Sequence, residues 1–455
     1  MPSDLTVLIM AAGHGTRMKS STPKVLHPVC GRPMIEWVVA AAREAGADRV
    51  VAITRPGEGV DEHLNGTVEV AQQVEGEGTG SAVLAAREAV EDAQTVAVLS
   101  GDHPLMTADV IRRMVDAHRR DGAVATLLTT ESLDPARYGR VVRDPDGAIE
   151  RIVETKNPDG LPREILAIRE INIGTYAFDP GELLTALDEV AETGGERYLT
   201  DVVAILRSRG RPLAAHRTDD YLAAVNVNDR ADLMRIEQLA RERLLLHHAV
   251  AGVTFTAPST VTLDAGVAIG PDTTIGPGVT LHGGTAIGAG CSVGPNVTAT
   301  DARIGDAVTV LHAVLNDCDV GDRATIGPFA YLRPGARIET GAKVGTYVEV
   351  KNSTIGAGAK VPHLSYIGDA DVGEGANLGA STITANYDGA EKHRTTVGKR
   401  AKTGIHTSLV APVTVGDDAY TGAGAVVRKD VPDGSLSVSK AEQRIYEGRN
   451  KDQRE

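Results

Sequence analysis

Residues 263–293 read LDAGVAIGPDTTIGPGVTLHGGTAIGAGCSV, and an aliphatic residue recurs at every sixth position of this stretch. Glycine follows most of these aliphatic residues, so that the repeats also carry turn residues. The same spacing returns in four later blocks: Val320, Ile326, Leu332, Ile338, Val344 and Val350; Ile355, Val361 and Ile367; Val372 and Leu378; and Val415, Thr421 and Val427. Such a repeat is typical of stacked solenoid coils. It predicts a left-handed parallel β-helix, in which each hexapeptide forms one flat side of a triangular coil and its aliphatic residue points inward.

The hexapeptide spacing fails between Leu378 and Val397, where residues 386–394 read NYDGAEKHR. This segment is polar and irregular, whereas the sequence on either side of it keeps the repeat. Loops that leave a regular scaffold are frequent places for function. We therefore expect this loop to contribute to a functional site.

Residues 1–228 follow a different pattern, in which short apolar strands alternate with helical segments. We predict strands over 5–10, 49–53 and 95–99, and helices over 34–43 and 81–90. This alternation predicts an α/β, Rossmann-like domain with a mostly parallel sheet and with ligands at the carboxyl ends of its strands. The charged, leucine-rich residues 229–251 predict a helical linker. The β-helix then occupies 252–455.

The composition narrows the possible partners. The 455 residues carry a formal net charge of −14, which argues against nucleic acid or an anionic membrane as the main partner. Cys30, Cys291 and Cys318 are odd in number and far apart, as expected of reduced thiols rather than of a disulfide framework. We find no pattern of a signal peptide and no run of about 20 apolar residues. We therefore expect a cytoplasmic protein with no nucleic-acid or membrane partner.

The first predicted strand runs into a glycine-rich turn, residues 10–18, which read MAAGHGTRM. Glycines after a strand let backbone N–H groups approach phosphate oxygens, and arginine or lysine supplies positive charge. A lone Gly-x-Gly would fit a plain turn equally well, but Arg17 and Lys24 at this spacing favour a triphosphate site. We predict nucleotide contacts at Ala11, Ala12, Gly13 and Lys24, with Arg17 and Lys24 assisting catalysis.

This turn resembles the Leu-Ala-Ala-Gly-x-Gly-Thr-Arg-Met and Pro-Lys signature of sugar-1-phosphate nucleotidylyltransferases, with Met10 in place of the leucine. The resemblance implies a nucleotidyltransferase domain at 1–228, in which the sugar phosphate attacks the α-phosphorus in line and pyrophosphate leaves. Further positions implied by the resemblance are Gln73, Gly78 and Thr79 for the uracil, Gly139, Glu154, Asn172 and Asn228 for the sugar, and Asp102 with Asn228 for Mg²⁺. Lys156 follows in the segment of Glu154. One Asp and one Asn suffice, because Mg²⁺ prefers oxygen ligands and keeps waters and phosphates in its shell.

The order of the domains resembles one family of bifunctional enzymes over nearly the whole chain. These are the N-acetylglucosamine-1-phosphate uridylyltransferase/glucosamine-1-phosphate N-acetyltransferases, whose substrates are UTP, N-acetylglucosamine 1-phosphate, glucosamine 1-phosphate and acetyl-CoA. The resemblance implies a homotrimer and a general base at His363, whose ring Glu349 and Asn386 orient. It implies sugar-phosphate contacts at Arg333, Lys351, Tyr366 and Asn377, and acetyl-CoA contacts at Ala380, Asn386, Tyr387, Ile405, Ala423 and Lys440. A histidine suits the removal of a proton from an amine near neutral pH.

Several positions depart from the pattern of that family. Near the nucleotide site, Glu77 replaces an apolar residue, Ser81 replaces a histidine, and Arg197 stands where tyrosine or glutamate is usual. In the second site, Ile405 replaces a serine, Ser381 a glycine, Lys440 an arginine and Arg449 a tryptophan. Lysine keeps the charge of arginine but not its bidentate fork. Two alternatives therefore stay open, namely a uridylyltransferase whose β-helix is only a trimerisation scaffold, and a related enzyme for another nucleotide or sugar.

Overall fold

The computed structural model of the chain describes residues 3–132, 135, 138–155, 160–192, 194–440 and 442–447. The chain divides into two units, residues 1–240 and 241–455. The strands of the first unit are β1 (Ser3–Met10), β2 (Pro28–Val29), β3 (Arg32–Pro33), β4 (Arg49–Thr54), β5 (Glu69–Gln72), β6 (Ala93–Ser100), β7 (Ala125–Glu131), β8 (Arg140–Arg143), β9 (Ile149–Val153), β10 (Glu170–Phe178) and β11 (Leu213–Arg217). The helices are α1 (Met34–Glu44), α2 (Val60–Leu64), α3 (Gly78–Ala85), α4 (Arg87–Glu91), α5 (Ala108–Asp121), α6 (Arg163–Leu166), α7 (Pro180–Leu187), α8 (Asp201–Ser208) and α9 (Arg230–Val250).

The central sheet of the first unit has the strand order β11-β7-β10-β6-β1-β4-β5. Its pairings are parallel except around β10, which runs antiparallel to β6 and β7, and β8 and β9 form a hairpin that joins β10. Met10 lies opposite Ile53 on one side and Ser100 on the other. The carboxyl ends of β1, β4 and β6 therefore lie side by side at one edge of the sheet, where the glycine-rich turn begins.

Helices cover both faces of this sheet. Along β1, Val7 and Ile9 belong to one apolar core together with residues of α1 and α5, and Leu8 belongs to a second core with residues of α3, α7 and α8. Successive side chains of a strand point to opposite faces, so a strand covered on both sides is a continuous apolar run. This explains why residues 5–10 carry no polar alternation.

The helix predicted over 81–90 is wrong in its extent. The structure has two helices, α3 and α4, separated at Ala86, whose φ of −101° and ψ of 21° lie outside the helical values. Val83 and Val90 on either side of the break are buried in the same core. The apolar periodicity therefore continues across the break, and the sequence alone reads as one helix.

Helix α9 lies inside the stretch predicted as the linker. The Asp229 carboxylate accepts hydrogen bonds from the backbone N–H groups of Ala231 and Asp232 at 2.8 and 3.0 Å, so Asp229 caps its first turn. The domain limits at 228 and 252 themselves stay predictions. Of the helices in the described residues, none combines the length and the apolar character that a membrane span needs.

The second unit is the expected left-handed β-helix, with three parallel sheets as its faces. The first face has strands Thr254–Phe255, Thr274–Ile275, Ser292–Val293, Thr309–Val310, Thr325–Ile326, Lys343–Thr346 and Lys360–His363, and a further sheet is formed by Lys402–Thr403, Tyr420–Thr421 and Leu436–Ser437. The second face has strands Thr262–Leu263, Thr280–His282, Thr298–Thr300, Ala313–Asn316, Ala330–Leu332, Glu349–Lys351, Tyr366–Gly368, Ile383–Ala385, Ser408–Val410 and Val426–Val427. The third face has strands Ala268–Ile269, Ala286–Ile287, Arg303–Ile304, Asp319–Val320, Arg337–Ile338, Thr354–Ile355, Ala370–Val372, Thr395–Val397 and Val413–Val415.

The predicted inward positions form the core of the β-helix. All the aliphatic positions of the repeat, from Leu263 to Val427, are buried. Equivalent residues of successive coils lie opposite each other, as Ile275 does with Val293. The residue before each inward position points outward, which fits the period of two in a strand. The loop predicted at 386–394 lies between the strands Ile383–Ala385 and Thr395–Val397.

Candidate active sites

A cavity of about 300 Å³ opens at the carboxyl edge of β1, β4 and β6. It is lined by Met10, Ala11, Ala12, Gly13, His14, Lys24, Val25, Arg55, Gln73, Glu77, Gly78, Thr79, Ala82, Ser100, Asp102 and Glu196. All the residues predicted to contact the nucleotide line it. The structure thus brings together segments that are far apart in the sequence.

Lys24 and Asp102 form an ion pair in this cavity, with 2.5 Å between Nζ and Oδ2. The Ser100 hydroxyl donates to the other carboxylate oxygen at 2.6 Å. Burial alone would raise the pKa of the Asp102 carboxyl, but the charges of Lys24 and His103 and the two hydrogen bonds hold that pKa below its usual value. Asp102 is therefore an anion at neutral pH, ready for a cation.

Two glycines of the turn have different effects, and the structure requires glycine at one of them. Gly15 has φ +59°, and a Cβ there would lie 2.7 Å from the Cβ of Lys24, so its absence lets Lys24 approach the turn. At Gly13 a Cβ would meet no atom within 4 Å. The absence of a side chain there leaves open space in front of the turn, as a phosphate-binding turn needs.

The base-reading segment predicted at 73–79 is held from two sides. The buried Gln73 amide donates to the Gly76 carbonyl at 2.9 Å. Thr79 Oγ1 accepts a hydrogen bond from the Leu199 N–H at 2.9 Å. Gly78 has φ +90°, and a Cβ there would lie 2.4 Å from the Arg197 carbonyl oxygen. Only glycine fits at this crossing of two backbones.

The pair predicted to hold a metal, Asp102 and Asn228, lies on neighbouring backbone. The Val227 N–H donates to the Asp102 carbonyl at 3.0 Å, and Arg17 donates to Asn228 Oδ1 at 2.9 Å. The described residues contain no group of three or more His, Cys, Asp or Glu side chains arranged around a common metal position. One carboxylate and one amide still fit a cation that takes its other ligands from phosphates and water. The Lys24 ammonium on Asp102 already stands where such a cation would bind.

The predicted sugar-binding residues lie around β10. Asn172 is buried, donates to the Tyr176 hydroxyl at 2.7 Å and is joined to Gly139 by a backbone hydrogen bond of 2.9 Å. Glu154 lies close enough to Tyr176 and Tyr198 for its charge to help raise both pKa values, although burial is the main cause at Tyr176 and a hydrogen bond to Glu196 at Tyr198. Lys156 lies outside the described residues.

On the second unit, the two predicted phosphate-binding cations each have a carboxylate partner. Arg333 donates to Glu349 at 2.7 Å, and this contact raises the pKa of the guanidinium. Lys351 Nζ lies 3.7 Å from Asp369 Oδ2. Tyr366 lies opposite Glu349 on the second face, and Asn377 lies on the first face, bridged to the backbone of Lys360 and Lys402.

Asp369 is the centre of a polar network that the sequence did not indicate. Asn352 donates to one of its carboxylate oxygens at 2.6 Å, and Asn386 to the other at 2.5 Å. Burial would raise the pKa of Asp369, but these two hydrogen bonds and the Lys351 ammonium lower it below its usual value. The network fixes the first residue of the loop 386–394 to the coil below it.

Among the residues that the structure describes, no hydrogen bond joins the His363 ring to Glu349 or Asn386, so their role in orienting the ring stays a prediction. The Glu349 carboxylate accepts a hydrogen bond from Arg333, and the Asn386 amide donates one to Asp369. His363 itself is exposed at the corner where the first face turns into the second. Its neighbour Leu364 has φ +50°, which is part of this turn.

Four of the predicted residues form one line along that corner, which we name the corner line: His363, Ala380, Ile405 and Ala423. The carbonyl of His363 accepts from Ser381 N at 3.2 Å, that of Ala380 from His406 N at 2.8 Å, and that of Ile405 from Gly424 N at 2.8 Å. The coils approach closely here, since a Cβ on Gly404 would lie 2.6 Å from the Ala423 nitrogen. The Ile405 side chain is 53% exposed, so an apolar side chain projects from the line.

The remaining predicted acetyl-CoA residues lie away from this line. Tyr387 is exposed in the loop, and its hydroxyl donates to the Gly389 carbonyl at 2.6 Å. Asp388 and His393 close the loop with a contact of 2.7 Å. Lys440 is exposed near the end of the described chain, and Arg449 lies outside it.

Sequence reasoning missed Ser100, Arg55 and Glu196 in the nucleotide cavity, and Asp369 in the second site. Ser100 could have been found, because it precedes Gly101-Asp102 at the end of an apolar strand. Arg55 carries no such signal. Its place in the cavity follows only from the sheet order, which brings the end of β4 beside β1.

Two known protein families match separate parts of the chain. Residues 7–217 match the family described as MobA-like NTP transferase domain, and residues 266–301 match the bacterial transferase hexapeptide (six repeats). Fold and site together define a nucleoside-triphosphate transferase followed by a hexapeptide-repeat transferase.

Relatives along nearly the whole chain carry one name. The chain is 46% identical to the bifunctional protein GlmU of Mycobacterium bovis over 98% of its own length and 92% of that protein. It is 46% identical to the bifunctional protein GlmU of Streptomyces avermitilis, over 97% of this chain and 93% of that protein. The chain belongs to the bifunctional GlmU family, which confirms the resemblance read from the sequence. It is an enzyme with a uridylyltransferase and an acetyltransferase in one polypeptide.

Proposed function

We propose that the first unit transfers the uridylyl group of UTP to N-acetylglucosamine 1-phosphate, and that the second unit makes this sugar phosphate by acetylating glucosamine 1-phosphate with acetyl-CoA. The product, UDP-N-acetylglucosamine, supplies cell-envelope polymers. The observation that supports the proposal is that the predicted nucleotide residues line one cavity around Lys24 and Asp102, while four predicted residues of the second reaction follow one another along the corner line.

In the first reaction the protein binds and neutralises two anions. The backbone of the glycine-rich turn holds the triphosphate, and Arg17 and Lys24 offset charge as the sugar phosphate oxygen attacks the α-phosphorus and pyrophosphate leaves. Gln73, Gly78 and Thr79 read the uracil, while Gly139, Glu154, Asn172 and Asn228 hold the sugar. No protein nucleophile takes part.

We propose Mg²⁺ as the divalent cation of this site, held by Asp102 and Asn228. When bound, it neutralises charge on the phosphates of both substrates. Lys24, which is paired with Asp102 in the structure, would contact the triphosphate. Chelation with EDTA should abolish pyrophosphate release and leave acetyl transfer unchanged, because the second unit's residues include no proposed metal ligand.

In the second reaction Arg333, Lys351, Tyr366 and Asn377 hold the sugar phosphate. His363 takes a proton from the amine as its nitrogen attacks the thioester carbonyl carbon, the C–S bond breaks and the coenzyme A thiolate leaves. Backbone N–H groups around Ala380 stabilise the oxyanion. Ala380, Asn386, Tyr387, Ile405, Ala423 and Lys440 contact acetyl-CoA.

We propose a cytoplasmic homotrimer, with acetyl-CoA bound along the β-helix where subunits meet. Three side chains at the corner between the first and second faces support an interface there, namely Phe329, Tyr347 and Leu364, which are 53%, 59% and 57% exposed. Phe329 stacks on Tyr347 with 5.3 Å between ring centroids. Exposed apolar patches of this kind mark contact surfaces. Light scattering after size exclusion should give three times the mass of the chain.

Crossed variants test the two assignments. Asp102→Asn should lose pyrophosphate release from UTP and N-acetylglucosamine 1-phosphate but keep thiol release from acetyl-CoA and glucosamine 1-phosphate. His363→Ala should do the reverse, with a loss of about 100-fold or more, and His282→Ala, another histidine on the β-helix, should lose neither. Thiol release that survives in His363→Ala would remove the assigned base. If the wild-type chain releases no thiol, the acetyltransferase assignment fails, and the alternative of a uridylyltransferase with the β-helix as a scaffold is favoured.

A further inference from the structure

Arg55 is a partly buried cation in the nucleotide cavity to which the proposed mechanism gives no role. It follows β4 directly, and its side chain is only 15% exposed. Its guanidinium reaches two segments: Nε donates to the Ala12 carbonyl at 2.8 Å, and Nη2 donates to Glu77 Oε2 at 2.5 Å. One side chain thus joins the phosphate-binding turn to the base-reading segment.

The contact with Ala12 fixes an N–H group of the turn. The Ala12 carbonyl and the Gly13 N–H belong to the same planar peptide, so holding the oxygen also sets the direction in which the N–H points. Gly13 is the residue of the turn with open space in front of it. Arg55 therefore fixes the orientation of an N–H group in the turn that is predicted to bind the triphosphate.

The contact with Glu77 fixes the other segment. Glu77 immediately precedes Gly78 and Thr79, and its backbone carbonyl accepts from Arg197 N at 2.9 Å. The backbone of Glu77 is thus held on one side by residue 197 and its side chain on the other by Arg55. His14, a residue of the turn, lies 3.7 Å from the second carboxylate oxygen of Glu77, so this half-exposed carboxylate has a second neighbour besides Arg55.

We infer that Arg55 is a positioning residue for the nucleotide, which holds the phosphate-binding turn and the base-reading segment in register through Ala12 and Glu77. The inference rests on the proposed function for the identity of UTP. A guanidinium suits the task because its planar fork serves two acceptors in different directions, which an ammonium on a flexible stem does not. Glu77 replaces an apolar residue of the family pattern, so this tie is a feature of the present chain.

Steady-state kinetics with UTP as the varied substrate test the inference. Arg55→Ala should raise the KM for UTP about tenfold with kcat within about twofold, because the residue prepares the bound geometry rather than the transition state. Glu77→Ala should raise KM about threefold, and the double variant should equal Arg55→Ala, because contacts that act through one group are not additive. Arg55→Lys should recover only part of the loss. Arg49→Ala is the matched control, since Arg49 lies on the same strand β4 and pairs with Glu69 at 2.7 Å on the surface.

Further measurements keep the result interpretable. Far-ultraviolet circular dichroism and thermal unfolding of the same preparations check that the first unit is folded, and calorimetric titration with UTP reports binding without turnover. An unchanged KM and Kd for UTP in Arg55→Ala, an equal effect of Arg49→Ala, additive losses in the double variant, or a fall in kcat alone would each overturn the inference. Absence of pyrophosphate release from the wild-type chain, with UTP still bound more weakly by Arg55→Ala, would instead count against the proposed reaction.

Discussion

The Lys24 ammonium lies 2.5 Å from the Asp102 carboxylate, although the two residues belong to segments 78 positions apart in the sequence. Both side chains are largely buried, and Ser100 and His103 complete the surroundings of the carboxylate. Each member of the pair is assigned to a different ligand, Lys24 to the triphosphate and Asp102 to the divalent cation. In the proposed reaction the pair would therefore bring the Lys24 ammonium and the cation held by Asp102 close to each other at the phosphates.

Lys24→Met should lower kcat/KM for UTP by about 100-fold or more, because it removes the cation of the triphosphate and leaves Asp102 buried without its partner. Pyrophosphate release measures the loss. Lys19→Met changes an exposed lysine of the same segment and should cost little. An equal loss in both variants would mean that the net charge of the turn matters, rather than this ion pair.

Gly78→Ala should impair the uridylyl reaction for two reasons, the positive φ of this residue and a steric clash of the new Cβ. The φ of +90° strains any other residue, and in addition the new Cβ would collide with the Arg197 carbonyl. We expect a rise of about tenfold or more in the KM for UTP and a destabilisation of about 2 kcal/mol. Gly122→Ala is the control, because Gly122 also has positive φ, +59°, but open space around its Cβ position. If Gly122→Ala is destabilised as much as Gly78→Ala, the contact with Arg197 has no cost of its own.

Much of the fold could be predicted because the six-residue repeat corresponds directly to the sides of the β-helix coils. The inward positions named above are aliphatic or small residues that mostly recur at intervals of six, and neighbouring coils of the same repeat supply the contacts that bury them. The break at Ala86 could not be predicted, because Val83 and Val90 keep the periodicity of one helix while the backbone between them leaves it. Local periodicity indicates which face of a helical segment is buried, but it does not indicate whether that segment is one helix or two.

The second site shows the other limit of the sequence. Its residue types could be assigned by resemblance, but their partners could not, since Glu349 bonds to Arg333 and Asn386 bonds to Asp369. These pairings join neighbouring coils 16 and 17 residues apart, and several polar residues compete for each place. Only the stacking of the coils decides among them.

Asp369→Asn should destabilise the β-helix at neutral pH but not in acid. The folded protein holds the pKa of Asp369 below its usual value, so the carboxylate contributes stability above its unfolded pKa, near 4, and that contribution is lost as the pH falls through the folded value. We expect a loss of about 1 to 3 kcal/mol at pH 7. Thermal unfolding of both proteins between pH 7 and about pH 3 should show the difference shrinking.

Asp272→Asn makes the same chemical change at an exposed residue of the β-helix and should leave the unfolding temperature unchanged at every pH. A difference between wild type and Asp369→Asn that persists undiminished in acid would show that the Asn352 and Asn386 contacts do not depend on the charge of Asp369. The loop 386–394 would then be held by packing rather than by the carboxylate.

Ile405→Ala should change which acyl donor the second site prefers. Ile405 lies between Ala380 and Ala423 on the corner line, and 53% of its side chain is exposed, so it supplies bulk where the family pattern has a smaller serine. Removing that bulk makes room for an added methylene, worth about 0.8 kcal/mol when buried, or about fourfold in kcat/KM for propionyl-CoA relative to acetyl-CoA. Stability should change little, because the side chain is largely outside the core. Val314→Ala trims another exposed aliphatic residue, 45% exposed on the second face, and should leave the ratio unchanged. A ratio that stays the same in Ile405→Ala would mean that the acyl group does not lie against this residue, and the course of coenzyme A along the corner line would have to be redrawn.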